Sequence, residues 1–166
     1  MTIISKRAAA LVVAVAAGTT AGVAGAVPPP PDGTFQGDTS QTNIEHHVVQ
    51  VDTNSDGRVQ RVFIQWQAKC KVKGQFWTST TKVTNGPSGL VQSGDVFSRK
   101  HSYTGKVNKN IKGKISYTLD GKFADNDNAA GTWKAKVIVR RKGKKIDTCT
   151  LPKITWTAQR VTDQPG

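Results

Sequence analysis

The residues that could do chemistry are few, and most of them fall in turns. Asp52-Thr53-Asn54-Ser55-Asp56-Gly57 sets oxygen side chains at alternating positions and closes on a glycine. That is the first half of a calcium loop of the form D-x-[DN]-x-[DN]-G. The twelfth position counted from Asp52 is Phe63, so the bidentate glutamate is missing. Strand-like sequence flanks the loop where helices should, and the segment reads as a hairpin turn rich in Asn, Asp and Gly. Asp125-Asn126-Asp127-Asn128 is read as a polar turn for the same reason. His46 and His47 are adjacent, and neighbours on a strand point to opposite faces, so they cannot share one ion. His101 is the third histidine, which leaves no metal site to expect. Glu45 is the sole glutamate, and most aspartates sit in turns, where the backbone occupies them. No G-x-S-x-G, phosphate loop or dinucleotide fingerprint occurs. No catalytic residue and no cofactor are identified, and the chain is read as not an enzyme.

Charge is the informative feature. The chain has 24 Lys and Arg against 11 Asp and Glu, a formal net charge of +13. The excess is segregated. Residues 27–98 carry six basic and six acidic residues, whereas residues 99–145 carry 14 and three. Within the second segment Lys112, Lys114, Lys134 and Lys136 fall at solvent-phase positions of two strands, and Arg140, Arg141, Lys142, Lys144 and Lys145 crowd one turn. On neighbouring strands these nine residues would make a cationic face with a cationic tip, and such a field concentrates polyanions. Outward lysine also keeps β-proteins from aggregating, but mixed-sign charge would serve that end equally well.

The elements that must position these residues are strands. Beyond residue 26 there are 16 Thr and 14 Val but six Ala and three Leu, a composition that suits pleated surfaces. Val62, Ile64, Trp66, Ala68, Cys70 and Val72 alternate with polar residues, as do Ile115, Tyr117 and Leu119, and Trp133, Ala135, Val137 and Val139. Period-two alternation of this kind marks strands with one wet face. The last strand changes phase at Pro152, which predicts a bulge or an edge there. Asn-, Asp- and Gly-rich turns separate the runs, so consecutive strands form antiparallel hairpins. The expected fold is all-β, an antiparallel β-sandwich of about eight strands with one disulfide; the alternative is a closed up-and-down β-barrel. Trp66, Trp133 and Trp156 keep apolar phase and belong to the core. Trp77 has no clear phase; burial is expected, and exposure would instead mark a partner site.

Residues 1–26 read as a secretory signal peptide, with Lys6 and Arg7, an apolar stretch Ala8–Ala17, and Ala24-Gly25-Ala26 as the cleavage site. No later run approaches the ~20 apolar residues of a spanning helix. Outside the cell Cys70 and Cys149 are a disulfide, and Cys70 on an apolar strand face places the bridge in the core. A Pro-rich linker follows at 27–33, then the β domain at 34–160 and a tail at 161–166.

Several landmarks fall in a set order: Phe35-Gln36-Gly37-Asp38-Thr39-Ser40, Trp66-Gln67-Ala68-Lys69-Cys70, Ile111-Lys112-Gly113, Ala130-Gly131-Thr132-Trp133, and Cys149 followed by Trp156-Thr157-Ala158. In this order the chain resembles a group of uncharacterised small secreted β-sandwich domains of Gram-positive actinobacteria, from about residue 35 to 158. Pro152 departs from the pattern. The resemblance implies fold and export, and it carries no activity.

The expected function is a secreted, non-enzymatic, monomeric β domain that binds anionic polysaccharide or envelope polymers through its basic face. Export makes nucleic acid a poor physiological partner. The alternatives are a small-ligand or hydrolytic site in a β-barrel, and a structural protein-interaction domain.

Overall fold

The computed structural model describes residues 32–44, 48–86 and 89–161. The segments read as signal peptide, linker and tail lie outside these residues except for Asp32, Gly33 and Val161, and so do His46 and His47. Nine strands are present: β1 (Thr34–Thr39), β2 (Val49–Thr53), β3 (Val59–Cys70), β4 (Phe76–Thr84), β5 (Val91–Ser93), β6 (Val96–Lys106), β7 (Ile111–Phe123), β8 (Asn128–Arg141) and β9 (Lys144–Arg160). All pairings are antiparallel, in the order β4-β3-β2-β1-β9-β8-β7-β6-β5. The three-residue β5 is too short to show an alternation, which is why the pattern yields eight strands.

The sheet folds back on itself. β3 follows β2 over Val59–Ile64, then meets β9 directly at Lys69–Thr150 and Cys70–Cys149. The β1–β2 hairpin is thus a wedge between two strands that converge at one end. The two ends of the strand order also meet. The Thr81 hydroxyl on β4 shares a 2.8 Å hydrogen bond with the Tyr103 hydroxyl on β6. Gln92 on β5 accepts the Val59 amide at 2.8 Å. Among the described residues no ladder joins β4 to β5 or β6, and side-chain hydrogen bonds bridge this seam.

The alternating residues of β3, β7 and β8 form the core. Trp66, Trp133 and Trp156 are fully buried. Tyr117 stacks on Trp133 with ring centroids 4.7 Å apart, and Phe35, Phe97 and Phe123 pack as neighbouring tilted rings. Val72 departs from the pattern: β3 ends at Cys70, and Val72 is exposed in the following turn. Trp77 is buried, against the surface of the register partners Gly105 and Gly113. A Cβ on Gly113 would lie 2.5 Å from the Trp77 ring, so a glycine is needed there for space. Burial removes the basis for a Trp77 partner site.

Pro152 sits at a bulge. Trp133 pairs with Ile154 and Ala135 with Leu151, so Pro152 and Lys153 together oppose Lys134. The proline therefore needs no regular ladder bond, and the phase of β9 reverses across it, as the sequence requires. The disulfide joins Cys70 to Cys149 across 79 positions, with both cysteines buried.

Candidate functional site: a cationic face and end

Antiparallel pairing brings the predicted cations together, because β7, β8 and β9 are neighbours. Even-numbered residues of β7 and most of those on β8 point outward, since their odd-numbered neighbours fill the core. Lys112 faces Lys106 on one side and Arg140 on the other, and Arg140 faces Lys145. Four cations thus lie directly opposite one another across β6, β7, β8 and β9, a row about 14 Å long at the usual strand spacing. Arg141 faces Lys144 beyond it. Lys114 follows, between Thr104 and Ile138. Next comes Ser102–Ser116–Lys136–Thr150, and then Lys100–Thr118–Lys134 opposite the bulge.

The last two rows enclose a recess of about 700 Å³. Its floor is short: Ser102 and Ser116 share a hydrogen bond of 2.8 Å, with Thr118 and Thr150 beside them. Its rim is long and cationic, with Lys100, Lys134, Lys136 and Lys153. The bulge turns Lys153 and Pro152 outward together, which supplies one wall. Neutral hydroxyls below ammonium groups suit a ligand that carries both hydroxyls and negative charge.

The β3–β4, β6–β7 and β8–β9 turns gather at one end of the domain. Lys142 donates its amide to Asn110 at 3.0 Å, and Lys71 donates its amide to Thr148 at 3.1 Å. Lys71, Lys73 and Lys109 join Arg140, Arg141, Lys142, Lys144 and Lys145 there. Asp147, beside them, is turned inward and buried. Its carboxylate accepts the amides of Lys71, Val72 and Thr148, so it neutralises no surface cation. None of the nine predicted cations has a carboxylate within ion-pair reach among the described residues; Arg61 pairs with Asp52, and Lys122 with Asp95. The opposite end is of mixed sign, with Asp56, Asp95, Asp125 and Asp127 near Arg58, Lys122 and Arg160.

The other sequence candidates resolve into turns. Asn54 accepts the amides of Asp56 and Arg58 at 3.1 and 2.8 Å, and the Asp52 carboxylate is held by Arg61, Thr34 and Gln50. Asp125 accepts the Asp127 amide and the Asn128 side chain, and these bonds hold its carboxyl below the usual aspartate value. His101 lies 3.3 Å from an Arg99 nitrogen, facing a cation. Cys70, Asp147 and Cys149 cluster closely enough for a metal, but both sulfurs are spent in the disulfide. Lys100, Lys106 and Lys153 complete the face without having been singled out in the sequence. Their membership depends on register, and local alternation does not display register.

These features define an all-β, antiparallel, disulfide-bridged domain with one cationic face and end. No protein-family model, curated protein or solved structure matches the chain.

Proposed function

We propose that the protein is an exported, non-catalytic module that binds acidic polysaccharide or a comparable anionic envelope polymer across the outer face of β6–β9. One observation carries the reading: the row Lys106–Lys112–Arg140–Lys145 sets like charges directly opposite one another on four strands. Directly opposed like charges destabilise a sheet. A surface shaped for solubility alone has no need of one sign, and residues 27–98 carry six charges of each. A polymer bearing regular negative charge relieves the repulsion and gains from it. The recess adjoining the row favours a polyhydroxylated polymer over nucleic acid. Single-stranded nucleic acid is held by exposed aromatic platforms; of the rings lining this recess Tyr117 is buried and His101 contacts Arg99, and the outward rows carry Ser, Thr and Lys. The disulfide suits an oxidising compartment, which supports export.

The test is retention of residues 27–166 on immobilised acidic polysaccharide over a salt gradient, with neutral polysaccharide as the control. Salt-sensitive retention on the acidic column alone is expected. Equal elution from both columns at low salt would reduce the face to a solubility device.

A further inference from the structure

The exposed apolar residues are not scattered. Among the described residues seven large apolar side chains are well exposed, and four of them, Val72, Phe76, Val107 and Ile146, lie at the cationic end. Val72 sits between Lys71 and Lys73, Val107 follows Lys106, and Ile146 follows Lys145. The same juxtaposition, an aliphatic side chain beside lysine, recurs at three hairpin ends that are remote in sequence. Their exposures are 45, 62 and 46%, and that of Phe76 is 54%. Val72 and Ile146 line one shallow recess with Lys71 and Lys145.

We infer that this end of the domain docks on an anionic lipid bilayer, seating Val72, Phe76, Val107 and Ile146 among the headgroups while the lysines engage lipid phosphates. The inference goes beyond polymer binding and rests on the exposed aliphatics, which polymer binding does not require. A bilayer accounts for both halves of the pattern. Basic groups are drawn to an anionic leaflet, apolar side chains gain by entering the acyl boundary, and lysine stems can lie along apolar surface with their heads in water. A protein partner fits less well, because lysine is depleted from the centres of protein interfaces, and here Val72, Val107 and Ile146 each adjoin a lysine in the chain.

The experiment uses residues 27–166, which contain the whole described fold, and vesicles of neutral phosphatidylcholine with or without phosphatidylglycerol. All four native tryptophans are buried. A Val107→Trp variant therefore places a single reporter at the tip, on an exposed turn where folding is not at stake. Flotation with the anionic vesicles only is expected, together with a blue shift of the new tryptophan and its quenching by lipids brominated near the headgroup. Replacing Val72, Val107 and Ile146 by Ser should weaken vesicle partitioning about tenfold or more and leave retention on acidic polysaccharide unchanged. Failure to float with anionic vesicles overturns the inference. So does flotation in which the Val107→Trp emission stays unshifted, since charge alone would then account for binding. Loss of polysaccharide retention in a protein that still inserts would sink the polymer reading and leave this one standing.

Discussion

Cys70 and Cys149 are cross-strand partners at the point where β3 leaves its neighbour β2 and meets β9. The bridge pins the apex of the wedge that the β1–β2 hairpin occupies. It also links the β3–β4 turn to the strand that carries Lys144 and Lys145.

Removing the bridge loosens both. The Cys70→Ala, Cys149→Ala variant should lose about 3–5 kcal/mol, because an unfolded loop of roughly 80 residues regains its freedom. Denaturant unfolding of oxidised, reduced and double-variant protein would check this. Equal midpoints for all three would show that the wedge holds without covalent help.

Opposed cations make stability and binding trade against each other. Arg140→Gln relieves repulsion from both Lys112 and Lys145 and should raise stability at low salt by about 0.2–1 kcal/mol. The same change should bring elution from an acidic column to lower salt. Added salt should stabilise the native protein and narrow the difference from the variant. A variant that is both less stable and less retentive would mean that Arg140 packs rather than repels; its guanidinium does donate to Gly143 at 3.0 Å.

The seam between β4 and β6 rests on few groups. Thr81 accepts the Trp66 indole N–H at 2.9 Å and shares a bond with Tyr103, and it is buried. Thr81→Val keeps the shape and strands the buried indole donor, at a cost of about 1–3 kcal/mol. Tyr103→Phe removes one partner and leaves the indole satisfied, so it should cost less. Thermal melts of the two variants would rank them, and the reverse order would contradict this account.

Alkali should find Tyr117. Burial raises its pKa above 10.0, with the Arg99 charge opposing. The folded state therefore keeps the phenolic proton to a higher pH than the unfolded chain does. Stability from this source is complete below the unfolded value and is lost as pH rises through the higher folded one. Melting temperatures followed upward from pH 9 should fall more steeply for the native protein than for Tyr117→Phe; parallel curves would exclude Tyr117 as the cause.

The inward faces of β3, β7 and β8 were legible in the sequence because each alternates apolar and polar residues over a long run, and Pro152 showed its bulge by reversing the phase of β9. Other features are not local. Trp77 showed no phase because Ser79 and Thr81 follow it on the same face of β4 and exposed Phe76 precedes it on the other. The seam from Thr81 to Tyr103 joins opposite ends of the strand order, and hydroxyl residues in an alternating run look like solvent positions. The charge segregation showed which stretch of the chain concentrates the cations. The opposition of Lys106, Lys112, Arg140 and Lys145 required register across three ladders, and so did the hydroxyl floor beside them.

The uneven charge of the two ends makes the domain electrically lopsided along its length. Near a negative surface such a body feels a torque as well as a pull, and it turns its cationic end forward before contact. The amide of Asp32 bonds to Asn54 and that of Arg160 to Asp127, so β1 begins and β9 finishes at the mixed-sign end. Anything joined to the domain there would trail behind it, leaving the forward end unobstructed.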